Sequence, residues 1–313
     1  MNRPQVNGVL DIEKPQGSTS MEVVRTVKRL TRTKRVGHAG TLDPIATGVL
    51  PVCLGQATRL MEYLIGHKKI YQAEFRLGVA TDTHDAYGKI IKQESFSQVT
   101  NSHVTDLLPK FTGTISQQPP MYSALKWEGK RLYDLARAGV EVDRPSREVS
   151  VYSLTLKEWD PPVATLEVQC GRGVYVRTLV HDIGMSLGCG AHLSALARLS
   201  VGPFSLEKAI TPTILEEEVA SGDWERFLSP PDVVLLDHDS ITVEAPAERL
   251  LRNGQAIPVS ENGLYEKHLQ VYRAYGVDGR FIGVLRFNRA DGVWQPEKIF
   301  SLDNPSPYAP ERL

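Results

Sequence analysis

Apolar and polar positions in this chain follow two periods, and neither runs for long. Val9-Leu10-Asp11-Ile12 is a short apolar run stopped by Lys14-Pro15-Gln16-Gly17, which predicts a strand entering a turn. Thr19 and Glu22 have the spacing of a capping box, and Val23, Val24, Val27 and Leu30 recur on one helical face. The stretch from Gly37 to Gly48 holds three glycines, a proline and almost no apolar periodicity, so it predicts a loop. Val49 to Gly55 then predicts a buried strand, and Gln56 to Ile65 a helix with Leu60, Tyr63 and Leu64 inward. From Lys69 to Leu77 the pattern alternates, with Tyr71, Ala73, Phe75 and Leu77 on the apolar side.

Further on, Thr81-Asp82-Thr83-His84-Asp85 predicts a turn, and a strand follows Gly88. A helix is expected near Val104 to Phe111, a loop around Gln117 to Tyr122, and a short helix over Arg131 to Ala138. Val149 to Leu156 and Ala164 to Cys170 predict antiparallel strands, and Thr178 to Leu187 a helix; Leu196 on its own passes for helix core. Strands and helices intermix without regular βαβ alternation, so the class is α+β with a mainly antiparallel sheet. Acidic residues gather between Thr211 and Asp239, where Pro230-Pro231 breaks any helix, and this marks a junction. Beyond it, Ile241 to Glu244, Gln270 to Tyr275 and Phe281 to Phe287 are short strands with turns at Asn253-Gly254 and Asp278-Gly279, the pattern of a small β-barrel. A chain of 313 residues is long for one core, and the division expected is 1–235 and 236–313.

Composition narrows the function. With 36 Lys and Arg against 37 Asp and Glu, the net charge of -1 gives no global pull toward an anion, so charge must be read locally. Arg25, Lys28, Arg29, Arg32, Lys34 and Arg35 form a basic stripe with no acid between them. Such a stripe is either a solvated helix face or a phosphate track. The three cysteines, Cys53, Cys170 and Cys189, have no metal or disulfide spacing, and the eight histidines are scattered, so no metal site is expected. No apolar stretch approaches the roughly 20 residues of a spanning helix, and no signal peptide is recognisable, so the expectation is a cytoplasmic protein outside the membrane.

Asp43 is the first candidate for chemistry, a carboxylate in a Gly-rich loop between a basic segment and an apolar strand; an Asp-Pro pair also serves simply to start a turn. His38, in Gly-His-Ala-Gly, is open to the same two readings. Arg177 follows a glycine turn at Gly171-Arg172-Gly173, and if buried it needs an anion, either a phosphate or a carboxylate such as Asp43. Ser123-Ala124-Leu125-Lys126 has the S-x-x-K spacing without its companion motifs, and Gly188-Cys189-Gly190 lacks the rest of a dinucleotide fingerprint.

Together, the basic helix, Gly37-His38-Ala39-Gly40-Thr41-Leu42-Asp43-Pro44-Ile45-Ala46-Thr47-Gly48 and the Gly173-Val174-Tyr175-Val176-Arg177 segment resemble the bacterial tRNA pseudouridine-55 synthases, the TruB family. Further matches are Asn7-Gly8-Val9-Leu10, Lys14-Pro15-Gln16-Gly17, Arg76-Leu77-Gly78, the Thr81 to Asp85 turn, Pro120 to Lys126, and Leu187 to Leu193. The resemblance implies isomerisation of one uridine in the T-loop of tRNA: the C1′–N1 bond breaks, the flipped-out uracil turns, and a C1′–C5 bond forms. It implies no cofactor and no metal. Asp43 would be the essential carboxylate, acting at C1′ or C2′ in its ionised form. Arg177 would pair with it and depress its pKa. Tyr71 would stack on the extruded base and assist removal of the C5 proton, although its strand position also fits plain core packing. Tyr175 and Leu196 would line the uracil pocket, and His38 would fill the space the base leaves or hold the displaced loop. Lys14 and Pro15 would support the Asp43 loop, with Asp85 a further carboxylate. The basic stripe becomes a phosphate track, and the last segment a PUA-like RNA-binding barrel. The implied partner is the T stem-loop of tRNA, met by a monomer that needs no other protein.

Two other classes compete with this one. A non-catalytic tRNA-binding or folding module would use the same stripe and barrel, but has no use for a buried carboxylate that repels phosphate. A hydrolase built on Asp43 and His38 would need a water-activating metal or a second acid, and neither is evident.

Overall fold

The computed structural model describes residues 6–123, 125–259 and 269–310. Ala124, inside the 120–126 match, and part of the expected 236–313 unit lie outside these. The strands of the larger part are β1 (Gly8–Lys14), β2 (Val36–His38), β3 (Ala46–Leu54), β4 (Lys69–Leu77), β5 (Val79–Thr81), β6 (Ile90–Gln93), β7 (Gly113–Gln117), β8 (Lys126–Trp127), β9 (Lys130–Arg131), β10 (Arg147–Asp160), β11 (Val163–Cys170), β12 (Ala191–Val201), β13 (Phe204–Ser205) and β14 (Leu228–Ser229). The helices are α1 (Ser20–Thr31), α2 (Met61–Gly66), α3 (Asn101–Leu107), α4 (Leu132–Arg137), α5 (Val176–Ser186) and α6 (Pro212–Ser221).

One ten-stranded sheet runs β14-β1-β3-β12-β4-β11-β10-β7, with β2 added to β3 and β13 to β12. Its pairings are antiparallel except β12 with β3. Both faces of its middle are covered, which explains why β3 reads as an unbroken apolar run. Leu50, Val52 and Leu54 pack with Val23, Val24 and Val27 of α1 and Leu215 of α6, whereas Val49 and Cys53 face the opposite side. On β4 the expected alternation holds, and Tyr71, Ala73, Phe75 and Leu77 share a cluster with Val176, Leu179, Val180 and Ile183 of α5.

The capping box is present: Thr19 Oγ1 accepts from Glu22 N at 3.2 Å, and Thr19 N donates to Glu22 Oε2 at 2.7 Å. Other boundaries move. The predicted loop from Gly37 to Gly48 has strand at both ends, because Val36–His38 pairs with Val52–Leu54 and Ala46 already pairs with Leu196. The expected helix after Gly55 begins as a 3₁₀ turn over Gly55–Leu60 and becomes α-helical only at Met61. Leu196 belongs to a central strand, not a helix; bulges between Leu193 and Ala195 and between Arg198 and Ser200 interrupt the period of two that would have identified β12.

The C-terminal sheet contains β15 (Ser240–Val243), β16 (Ile257–Pro258), β17 (Val271–Gly276), β18 (Phe281–Asn288) and β19 (Val293–Ile299), ordered β15-β17-β18-β19-β16, with α7 (Ala245–Arg252) beside it. This curled five-stranded half-barrel is the PUA-like form expected. It has its own cluster around Tyr272, Leu285 and Trp294. A second cluster joins Tyr275, Phe281 and Phe300 to Leu60, Leu64 and Val233-Val234-Leu235 of the larger part. Asp232, fully buried, accepts hydrogen bonds from the Tyr275 hydroxyl at 2.7 Å and the Ser306 hydroxyl at 2.5 Å.

Two consequences for stability follow. Gly48 has φ +96°, and a Cβ there would lie 2.3 Å from the Arg198 carbonyl oxygen. Gly48→Ala is expected to cost about 2–4 kcal/mol from the clash and the left-handed backbone together, measured by urea denaturation. Asp11 Oδ2 accepts from Ser205 N at 3.1 Å, but Oδ1 is buried without a partner, and burial lifts the carboxyl to about 7. A carboxyl raised on folding binds its proton more tightly in the native state, so the protein gains stability as pH falls from above 7 toward the unfolded value of 3.8. Asp11→Asn is expected to raise the melting temperature at pH 8, with the difference from wild type shrinking steadily down to pH 5 in a thermal scan.

Candidate active site

The loop between β2 and β3 carries Asp43 and is fixed from several directions. Ser20, at the start of α1, donates its hydroxyl to Leu42 O at 3.1 Å and accepts from Leu42 N at 2.9 Å. Gly17 N donates to Pro44 O at 2.8 Å. The turn holding Gly17 is gripped by Lys14, fully buried, whose Nζ donates to Ser18 O at 2.6 Å and Pro15 O at 2.9 Å. Burial lowers the Lys14 ammonium to about 8, with Asp43 pulling it back up. Pro15 itself is exposed and takes part only through its carbonyl.

The Asp43 backbone carbonyl closes the turn by accepting from Ala46 N at 3.0 Å, which leaves the side chain free for other work. Its Oδ2 lies 3.0 Å from Arg177 Nε, and Arg177 Nη2 donates to Oδ1 at 3.5 Å. The open alternatives for the Arg177 partner are thereby resolved in favour of the carboxylate. Arg177 is 3% exposed and Asp43 34%, so the cation is enclosed while the carboxylate keeps an opening. The guanidinium also donates to Thr83 O at 3.2 Å and to Tyr122 O, gathering three loops around one charge.

The expected depression of the Asp43 pKa is not what the surroundings produce. Burial pushes the carboxyl above its ordinary range; Arg177 and Lys14 pull it down, and Asp85 adds to the rise. Enclosure on most sides outweighs one ion pair. Asp85 is buried and shapes the turn: its carboxylate accepts from the Thr83 hydroxyl at 2.6 Å and Tyr87 N at 3.0 Å, which holds the Thr83 carbonyl toward Arg177.

Asp43, Tyr71, Tyr175, Arg177 and Leu196 line one cleft of about 300 Å³, together with Lys69, Ser123, Leu125, Val174 and Arg198. This volume is at the lower end for small-molecule pockets. Tyr71 is 8% exposed, and burial raises its phenol while Arg198 lowers it. Tyr175 precedes α5, and Gln117 clamps its backbone: Tyr175 N donates to Gln117 Oε1 at 2.8 Å, and Gln117 Nε2 donates to Tyr175 O at 3.1 Å. A larger groove of about 560 Å³ lies over Leu108, Leu154 and Leu156, but no titratable side chain lines it. The groups able to do chemistry are in the smaller cleft.

His38 stands apart from this group. It ends β2 opposite Val52, half-buried, and does not line the cleft; burial and Arg198 lower its imidazole, which favours the neutral form. The six basic residues at 25, 28, 29, 32, 34 and 35 are all exposed and lie outside the cleft; Arg29 also meets Glu216 at 3.6 Å, an exposed pair worth little. Among the described residues, no group of three or more His, Cys, Asp or Glu is placed to hold a metal ion, and no helix is long and apolar enough to cross a membrane.

Sequence reasoning missed Ser20, Gln117, Lys69 and Arg198. Lys69 is buried, with Nζ donating to Ile65 O at 2.7 Å and His67 O at 2.6 Å. Arg198 left a readable signal, an arginine two residues from Leu196 in an otherwise apolar run, whose charge would need partners if buried. Ser20 and Gln117 left none, since their partners are backbone groups 22 and 58 positions away.

Known proteins of similar sequence and fold identify the chain's relatives. Residues 28–176 match the TruB family pseudouridylate synthase (N terminal domain), and residues 177–240 match the tRNA pseudouridylate synthase B C-terminal domain. The tRNA pseudouridine synthase B of Dehalococcoides mccartyi is 42% identical over 295 residues, 94% of this chain and 97% of its own length. That of Clostridium acetobutylicum is 42% identical over 283 residues, 89% of this chain and 95% of its own. Among solved structures, one described as a Cbf5-Nop10-Gar1 complex superimposes with a TM-score of 0.73 at 25% identity, covering 97% of this chain and 87% of that one. With such identity along nearly its whole length, the chain belongs to the TruB family of pseudouridylate synthases.

Proposed function

We propose that the protein isomerises the uridine at position 55 in the T-loop of tRNA to pseudouridine, with Asp43 as the essential carboxylate. The observation that carries this reading is a carboxylate, one-third exposed, held by a buried arginine at a cleft walled by two tyrosines and a leucine. The relatives named as tRNA pseudouridine synthase B supply the substrate class.

The target base must leave its stack to enter the cleft, at a cost of a few kcal/mol, and flat walls at Tyr71, Tyr175 and Leu196 let it turn once the C1′–N1 bond is broken. Asp43 acts in its ionised form at the sugar, and Arg177 steadies that form. After C1′–C5 bond formation the C5 proton passes to the Tyr71 oxygen in its phenolate form and N1 gains a proton, so the proton count of the nucleoside is unchanged. The overall change moves one bond and oxidises nothing, so the residues of the chain suffice without a cofactor. Lys14, Pro15 and Asp85 support the loops that carry these groups. His38, outside the cleft itself, fills the space the extruded base vacates in the RNA or holds the displaced loop. The stripe at Arg25, Lys28, Arg29, Arg32, Lys34 and Arg35 contacts phosphates without reading sequence. The units are 1–235 for catalysis and 236–313 for RNA binding, acting as a cytoplasmic monomer. A non-catalytic tRNA-binding module is the lesser reading, since a carboxylate enclosed beside Arg177 contributes nothing to phosphate binding.

Tritium release from tRNA labelled at uridine C5 tests the reaction. The wild type is expected to release tritium at position 55 without added metal or cofactor, and Asp43→Asn to lose at least about 10³-fold in rate while retaining tRNA binding. No release from either protein, with binding intact, overturns the enzyme reading. The pH dependence follows from burial: Asp43 must be ionised and its carboxyl is raised, so kcat is expected to fall on acidification at a pH above the ordinary carboxylate range. Arg177→Gln removes the opposing cation, so its acid limb is expected at still higher pH, measured as single-turnover rates from pH 5 to 9.

A further inference from the structure

Arg198 is among the largest side chains enclosed by the fold, 1% exposed, in the middle of β12. Its backbone pairs with Gly48 on one side and with Tyr71 on the other, so it stands between the end of the Asp43 loop and the tyrosine strand. The guanidinium reaches both ends of the loop. Nε donates to Val49 O at 2.7 Å and Nη2 donates to Gly40 O at 3.0 Å, the two carbonyls that bracket Thr41 to Gly48. It also lies close enough to Tyr71 to pull the phenol down against burial, and it forms part of the cleft wall.

A cation buried this deeply is costly unless its donors are used. Its hydrogen-bond partners here are neutral, two backbone carbonyls; Asp11 acts on it only through the field, with no ion pair between them among the described residues. If packing were the whole role, an apolar residue of similar volume would serve at less cost. The fork geometry of a guanidinium reaches the two carbonyls from separate nitrogens at fixed angles, which a lysine's single ammonium cannot do.

We propose that Arg198 is a positioning residue for the isomerisation: its one guanidinium ties both ends of the Asp43 loop while its backbone is paired with Tyr71, fixing the carboxylate and the phenol relative to one another. This rests on the pseudouridine-synthase reading of the cleft. The loop ties set where Asp43 meets the sugar. The cation beside the phenol favours its ionised form, the form able to take the C5 proton. Positioning the two groups through one side chain means that neither can shift without the other.

The test places 3-fluorotyrosine at position 71 and follows its ¹⁹F signal against pH in the wild type, Arg198→Lys and Arg198→Gln, with kcat and KM measured on an unmodified T stem-loop RNA. In both variants the phenol is expected to titrate at higher pH than in the wild type. The kcat is expected to fall by at least about tenfold, with KM within about twofold, because the interaction serves the transition state rather than binding. An unchanged phenol titration, or a loss confined to KM, overturns the proposal. Should both variants fail to fold, the coupling is read from the other end in Tyr71→Phe, through the ¹⁵N and ¹H shifts of the Arg198 guanidinium; no change on removing the hydroxyl overturns it. These spectra need no substrate, so phenol coupling in a protein that releases no tritium from any tRNA assigns the failure to the functional reading and not to Arg198.

Discussion

The Asp43–Arg177 ion pair is the interaction around which the cleft is assembled. A guanidinium that is 3% exposed cannot shed its charge, so the fold must bring an anion and acceptors to it. The partners it collects come from the β2–β3 loop, the turn at Thr83 and the segment at Tyr122, which are remote in sequence. Two of those segments are themselves secured: the first by Ser20 and the Lys14 turn, the second by Asp85. Losing Asp43 would strand a buried charge, and losing Arg177 would release three loops at once.

The same pair shows how local charge and global burial compete. An arginine within reach normally lowers a carboxyl pKa, and sequence reasoning carries that far. Whether the carboxyl is also desolvated depends on how the loop is packed, with Leu42 and Ile45 on either side of it in sequence joining the cluster that holds Tyr71, and that packing is a property of the folded sheet. For Asp43 burial is the larger effect. The opening on one side is what keeps the group able to react.

Legibility in the sequence tracked the range of the interaction. The capping box of α1 and the alternation of β4 were readable because their causes lie within three residues or within one strand. The turn at Thr81 to Asp85 was readable for the same reason. Leu196 was misjudged because two bulges in β12 break the alternation that marks a strand. The pairing of Asp43 with Arg177, 134 residues apart, was available from charge logic together with the family resemblance, whereas Gln117 and Ser20 act through backbone partners that carry no residue-type signature. His38 was grouped with Asp43 because it is near in sequence; it ends β2 and is not among the residues lining the cleft.

The C-terminal sheet meets the larger part through a shared apolar cluster, and Asp232 is locked between Tyr275 and Ser306 beside it. Swinging the sheet outward would expose Phe281 and Phe300 and leave a buried carboxylate without its donors, so the junction does not behave as a hinge. The spacing between the cleft and the half-barrel is therefore a fixed length. A ligand rigid enough to touch both surfaces is measured against that length, which makes the molecule a caliper as well as a reaction vessel.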